Sequence, residues 1–301
     1  MVKAGDTSMT TIETRAANQY ILGADDSEHA RLLAQCEICR PQAERLFERL
    51  GIGAGQRALD LGCGPLGVLD LLSARVGSTG EVVGLDNEPR MIEFAERTIA
   101  ERGLTNVTLV QGDARSTGLP ANYFDLAHER LVLINVPTPR AVVAEMIRVV
   151  RPGGWIAVEN VDMTGWSCEP SHPAWTTLFD ALIAAWQAAE LDPFIGRRMP
   201  ALLRDAGLID ISVDAHARIW RCDDRYQRLL LTFIGIFHDR IISGGLLGAD
   251  QLDRLTAELH EHLRRSDTFV IYSLFFQAWG ENRASRQVFG PSVQCLAWHS
   301  G

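Results

Sequence analysis

Long apolar runs are missing from this chain, and so are basic ones. No stretch of its 301 residues approaches the roughly 20 apolar residues that a membrane-spanning helix needs. Nothing in the first 30 residues has the form of a signal peptide. Lysine and arginine number 29 against 38 aspartates and glutamates, a formal net charge of −9. A surface of that sign repels a phosphate backbone, so neither a membrane nor a nucleic acid is an expected partner. The six cysteines (36, 39, 63, 168, 222 and 295) follow no disulfide framework and read as reduced thiols of a cytoplasmic protein. Cys36 and Cys39 form a C-x-x-C, but no second ligand pair lies at a metal-binding spacing and the pair falls in a helical pattern, so it reads as packing. His260 and His262 flank Glu261 without making H-E-x-x-H, and no metal site is expected. Internal repeats and low-complexity tracts are absent as well.

What is present is organised around residues 58–67, ALDLGCGPLG. Ala58, Leu59 and Leu61 make the short apolar run of a buried parallel strand. Gly62, Cys63, Gly64, Pro65, Leu66 and Gly67 break it, and Val68, Leu69, Leu71 and Leu72 resume at helical spacing. A strand, a glycine-rich turn and a helix start place backbone N–H groups and the positive end of a helix dipole at the carboxyl edge of a sheet. Gly62, Gly64 and Gly67 satisfy the G-x-G-x-x-G pattern of dinucleotide-binding turns. Asp60, two positions before the first glycine, argues against that reading, because its carboxylate suits a cationic ligand better than a pyrophosphate.

The stretch resembles motif I of class I S-adenosylmethionine-dependent methyltransferases, usually close to D-x-G-C-G-x-G, with Leu66 altering the usual glycine spacing. Further segments fit in order. Strand 81–85 (EVVGL) ends at Asp86, placed to accept bonds from ribose hydroxyls in either a methyltransferase or a nicotinamide enzyme. By the resemblance, Asn87 and Met91 line the adenine pocket. After strand 107–110, Gly112, Asp113 and Ala114 are similar to the family's G-D-A triplet, which implies that Asp113 accepts from the adenine amino group and that the Ala114 N–H meets a ring nitrogen. Strand 123–127 leads into HERLVLINVPTP, similar to small-molecule methyltransferases of the ubiquinone-biosynthesis type; there Glu129 and Arg130 would face the methionine moiety. The R-P-G-G turn of residues 151–154 before strand 155–159 is a further family mark with no role in nicotinamide dehydrogenases.

The fold this implies is α/β, a Rossmann-like seven-stranded methyltransferase sheet with helices on both faces. Residues 1–50 would form an N-terminal helical cap, 51–160 the S-adenosylmethionine-binding core, and 161–301 the rest of the same structural domain. In that remainder a helical lid is inserted between strands six and seven, residues 208–215 and 268–278. Helical pieces before residue 50 are expected to break near Gly23 and at Pro41; residues 1–13 lack periodicity. Tyr20 is a candidate for the cofactor's amino-acid end.

Base candidates are His128 at the end of strand four, Asp162 and His172 in an expected loop after strand five, His238 on a lid helix, and His216 with less support. Each also reads as a structural residue. Methyl transfer needs such a base only when the acceptor is weakly acidic. Trp166, Trp175, Phe179, Trp186, Phe233, Phe237, Tyr272 and Phe276 either wall an apolar or aromatic acceptor site or fill a helical core. Arg197 and Arg198 could meet an acceptor carboxylate. The expected function is methyl transfer from S-adenosylmethionine to a small-molecule acceptor by a protein that could be a homodimer. The alternatives are a non-methylating enzyme or binding protein retaining the pocket, and, further off, a nicotinamide-dependent oxidoreductase.

Overall fold

The computed structural model describes residues 26–222 and 224–283, with the side chain of Ser27 excepted. Tyr20, Cys295 and the outer parts of the expected cap and C-terminal segment lie outside the described residues.

Seven strands form one sheet in the order β3-β2-β1-β4-β5-β10-β7. These are β1 (Arg57–Leu61), β2 (Glu81–Asp86), β3 (Val107–Gln111), β4 (Phe124–Arg130), β5 (Val150–Asp162), β7 (Ile209–His216) and β10 (Leu274–Glu281). Strands β1 to β5 pair in parallel, and β10 runs antiparallel between β5 and β7. Because β1 has parallel neighbours on both sides, four of its five residues are buried, which is why it reads as an unbroken apolar run. The chain crosses from β1 outward to β2 and β3, then returns to β4 on the other side of β1. That reversal leaves a crevice at the carboxyl ends of the central strands. A second, three-stranded antiparallel sheet joins β6 (Ser167–Glu169), β9 (Phe269–Ile271) and β8 (Ile219–Arg221).

The helices are α1 (Asp26–Arg49), α2 (Leu69–Val76), α3 (Pro89–Arg102), α4 (Pro139–Val149), α5 (Pro173–Ala188), α6 (Ile195–Asp205), α7 (Leu229–Ser243) and α8 (Ala249–Leu263). On one face of the sheet Ala43, Leu46 and Phe47 of α1 join Leu69 and Leu72 of α2 over Ala58, Leu126 and Ala157. On the other, Val142, Val143 and Met146 of α4 pack with Leu59, Ala127 and Val158, and the same core continues into α5, α7 and α8. The last two helices lie between β7 and β10, where the sequence pattern put them.

Several boundaries differ from expectation, among them the start of β5 at Val150, which places the R-P-G-G residues 151–154 within the strand and not in a turn before it. Helix α1 runs through Pro41 without a break. A proline in a helix interior costs about 3 kcal/mol, but Cys39, Ala43, Leu46 and Phe47 are buried along that helix, and burying each large apolar side chain returns about 1.5–3 kcal/mol. Strand β4 continues to Arg130 and β5 to Asp162, so positions expected at loop mouths lie within strands. Residues 268–278 are not one strand: β9 belongs to the small sheet and β10 to the large one, with Tyr272 and Ser273 at the change of sheet.

The glycine turn imposes the sharpest packing limit. Gly67 has φ +54°, and a Cβ there would stand 2.1 Å from Asp60 Oδ2 and 2.8 Å from the Cys63 carbonyl oxygen. Gly103, the αL residue closing α3, has φ +65° with open space around it. Gly103→Ala should therefore cost about 1–2 kcal/mol, the left-handed backbone penalty alone. Gly67→Ala should cost clearly more in the same denaturant titration, and equal losses would show that crowding at Asp60 does not constrain the turn.

Candidate functional site

The pocket opens at the carboxyl edge of the parallel strands, and its lining divides by origin. One half comes from Gly62, Gly64, Leu85, Asp86, Asn87, Met91, Gly112, Asp113, Ala114 and Arg115, all on the loops after β1, β2 and β3. The other half comes from Arg31, Leu32 and Gln35 of α1, the segment Arg130–Pro137 apart from Leu133, and Val161, Met163, Trp186, Phe233 and Tyr272.

Backbone geometry holds the first half open. Gly62 N–H and Cys63 N–H both donate to the Leu85 carbonyl, at 2.6 and 3.0 Å. Gly64 N–H donates to Asp86 Oδ2 at 2.9 Å, and Glu88 N–H to Asp86 Oδ1 at 2.9 Å. Asp86 thus ties the glycine turn to the start of α3 while lining the pocket. Burial pushes its carboxyl up, opposed by those two N–H groups. Asp113 is gripped by the Arg115 guanidinium at 2.6 to 3.1 Å, which holds its carboxyl below the usual range.

Of the residues expected from sequence at the cofactor, Gly62, Gly64, Asp86, Asn87, Met91, Gly112, Asp113, Ala114 and Arg130 line this pocket. Asp60, Cys63, Pro65 and Glu129 do not. Asp60 lies beneath the turn at 2% exposure, bonded to Val68 N–H at 3.1 Å and His128 Nδ1 at 2.8 Å. Cys63 is buried, and burial raises its thiol well above its usual range. Glu129 turns to the opposite face of β4 from His128. It accepts Val132 N–H at 2.9 Å and Asn160 Nδ2 at 2.6 Å, and burial pushes its carboxyl up to about 7. Its work is to close the turn after β4.

None of the sequence-based base candidates reaches the lining. His128 is wholly buried within β4 between Asp60 and Glu159. Burial alone would depress its ring; the two carboxylates outweigh that and raise it to about 9. Asp162 is the last residue of β5, not a loop residue, and its buried carboxylate is held by Arg197, with Nη2 at 2.8 Å. Burial would raise this acid, but Arg197 and the Thr164 N–H bring it below its usual range. His172 caps α5, its Nδ1 accepting from Ala174 N–H at 3.2 Å, and its ring lies 4.6 Å from that of His262. His238 is half-buried beside the exposed Asp239, and His216 faces Gln277 at 3.2 Å. Arg197 and Arg198 are occupied by Asp162 and Asp192. The described residues hold no cluster suited to a metal ion and no helix long and apolar enough to cross a membrane.

The aromatic residues serve both roles weighed for them. Trp186, Phe233 and Tyr272 line the pocket, and Trp166 stands behind them, edge-on to Phe233 and Tyr272 at 6.1 and 5.3 Å. Trp186 Nε1 donates to the Ile134 carbonyl at 3.2 Å, fixing its ring against the segment after β4. Sequence reasoning did not pick out Arg31, Gln35, Asn135 or Met163. The only signal for Asn135 was the H-E-R-L-V-L-I-N segment, and for the α1 residues the general position of a capping helix.

A family model described as a methyltransferase domain matches residues 52–193. Demethylmenaquinone methyltransferase of Geobacillus sp. (strain WCH70) is 33% identical over 185 residues, 58% of this chain and 79% of that protein. Trans-aconitate 2-methyltransferase of Methylobacterium radiotolerans is 33% identical over 189 residues, 62% of this chain and 67% of its own. Among solved structures, phosphoethanolamine N-methyltransferase 2 of Haemonchus contortus, in complex with phosphomonomethylethanolamine and S-adenosylhomocysteine, superposes with a TM-score of 0.52. It is 18% identical, over 81% of this chain and 53% of that one, a likeness of fold.

Two outcomes follow from these placements. His172→Ala should lose about 1 kcal/mol of stability through the lost cap, and His238→Ala essentially none; calorimetric titration with S-adenosylhomocysteine should give both the wild-type affinity. His128 has a folded pKa of about 9 against an ordinary 6.5. Its stabilisation is therefore fully present below pH 6.5 and lost as pH rises through about 9, on the order of 3 kcal/mol. Urea unfolding at pH 7 and pH 10 checks this, and a flat profile would contradict a charged His128.

Proposed function

The chain belongs to the class I S-adenosylmethionine-dependent methyltransferases, of the branch that includes the quinone-biosynthesis enzymes, and from that premise we propose that it methylates a small apolar or aromatic acceptor. It is an S-adenosylmethionine-dependent methyltransferase. The observation that carries the acceptor class is the second half of the pocket, where Trp186, Phe233, Met163, Val161 and Ile134 form an apolar wall continuous with the glycine turn.

The residues of the first half fit the cofactor. Carboxylates at Asp86 and Asp113, with Leu85 and Met91 between them, offer acceptors for hydroxyl and amino groups around an apolar slot for a purine. When bound, S-adenosylmethionine supplies a methyl group made electrophilic by the sulfonium. We assign Asp86 to the ribose, Asp113 and the Ala114 N–H to the adenine, and Arg130 with the Gly62–Gly64 backbone to the methionine end. Trp186 and Phe233, at 1% and 7% exposure, keep water from the acceptor and hold it in line with the methyl group.

The described lining has no histidine, and its carboxylates belong to the adenosine end. That favours an acceptor whose attacking atom is already electron-rich, such as an ionised acid or an activated ring carbon. The relatives' names point the same way, one to a quinone precursor and one to a carboxylic acid. A substrate other than nucleic acid belongs to the same reading, supported by the net charge of −9, as does a cytoplasmic setting, supported by the free thiols of Cys36, Cys39, Cys63, Cys168 and Cys222.

Titration calorimetry with S-adenosylhomocysteine, NAD and NADP tests the cofactor assignments. The homocysteine nucleoside should bind and the dinucleotides should not. Asp86→Asn should weaken binding about tenfold or more, the value of a charge-assisted bond of about 1.5–3 kcal/mol. Unchanged affinity in that variant would remove Asp86 from the ribose. Trp186→Ala should leave that affinity unchanged and abolish turnover of aromatic acceptors in a methyl-transfer screen.

A further inference from the structure

His128 has a carboxylate against each ring nitrogen: Nδ1 is 2.8 Å from Asp60 Oδ1 and Nε2 is 3.3 Å from Glu159 Oε2. A neutral imidazole carries one N–H and would turn a lone pair toward one of the two acids, whereas the doubly protonated ring hydrogen-bonds Asp60 through Nδ1 and sets a positive charge 3.3 Å from Glu159 Oε2, a contact of charges without a hydrogen bond. All three side chains have 2% exposure or less. Among the described residues, Glu129 on the same strand acts on the ring, the Phe47 ring stands edge-on to it at 5.3 Å, and Arg130, near both acids, faces the buried thiols of Cys36 and Cys39 on α1.

The outer ends of this cluster are attached to the glycine turn. Asp60 Oδ2 accepts Val68 N–H at 3.1 Å. Arg130 donates Nη2 to the Gly67 carbonyl at 2.9 Å, while its buried Nη1 lies 4.0 Å from Glu159 Oε2 and makes no hydrogen bond. One carboxylate therefore holds the turn by an amide, and one guanidinium holds it by the neighbouring carbonyl. Glu159 is fixed from behind by Gln277 of β10, which donates to its Oε1.

We propose that His128 is a positioning residue for the cofactor: charged, and clamped between Asp60 and Glu159, it keeps the Gly62–Val68 turn in the shape that receives the methionine end of S-adenosylmethionine. It touches neither cofactor nor acceptor. Without its charge, Asp60 and Glu159 are two buried carboxylates sharing Arg130. That guanidinium is then drawn onto Glu159, where Nη1 already points, and lets go of the Gly67 carbonyl. The ring's pKa of about 9 puts this change within a measurable range.

The test compares wild-type protein with His128→Gln by calorimetric titration with S-adenosylhomocysteine at pH 7.5 and pH 10. The ratio of the two affinities cancels ionisation of the ligand's own amine. The variant should bind about tenfold more weakly at pH 7.5, and the ratio should fall toward one at pH 10, where the wild type has lost the same charge. A folded His128→Gln protein with wild-type affinity at pH 7.5 overturns the proposal, as does a ratio that does not move with pH. If that variant does not fold, Glu159→Gln carries the test. The ring's titration, read from its 15N chemical shifts, and the midpoint of the affinity loss should then move to lower pH together. A ring titration that moves while the affinity midpoint stays would equally overturn it.

Discussion

The 2.8 Å contact between Asp60 of β1 and His128 of β4 is the constraint around which the glycine turn and its side of the pocket are arranged. The two residues are direct register partners on adjacent parallel strands, so their pairing is fixed by the sheet itself and not by side-chain flexibility. The Asp60 carboxyl, at 2% exposure, needs hydrogen-bonded partners to offset its lost hydration, and His128 is one of them. With His128 in place it can accept the Val68 amide and so define where the turn ends and α2 begins. Gly67 has no Cβ because that space is occupied by the Asp60 carboxylate. The glycine pattern is thus partly a consequence of a buried acid below the turn, in addition to any demand from a ligand above it.

Sequence reading recovered the order of the core elements because parallel strands and glycine turns leave strong local patterns. The ALDLGCGPLG stretch, Asp86 and the G-D-A triplet each sit where a parallel strand ends, and strand ends are where the pocket forms, whereas R-P-G-G lies at the beginning of β5, away from the pocket. Two of the base candidates lie away from the pocket lining for one shared reason. Periodicity shows that a strand exists but not how far it runs, and β4 and β5 each extend three residues beyond their expected ends. His128 and Asp162 were thereby moved from a loop mouth into the sheet. His172 and His238 could not be separated from catalytic residues by sequence, since a cap and a half-buried helix position carry the same residue type.

The acceptor half was less legible still. Trp186 illustrates why: its indole stacks on Phe237 at 4.9 Å as core, donates to a backbone carbonyl as scaffold, and lines the pocket as wall. A helical pattern that buries such a residue looks the same whichever of its faces meets a ligand. Tyr272 reaches the pocket only because the chain changes sheets at that point, a long-range event with no local mark. Arg31 and Gln35 arrive from a helix that precedes the core by more than a turn of chain.

The buried cluster of Asp60, Glu159, His128 and Arg130 carries two charges of each sign. As a neutral unit it is tolerable under a sheet, but no member can be neutralised alone without stranding a charge. Sequence drift at these positions is therefore coupled: a lineage that loses His128 passes through an unfavourable intermediate unless Asp60 or Glu159 changes with it. The four sites should vary as a block across descendants of this protein, kept together or replaced together, while the apolar wall of the pocket is free to change residue by residue.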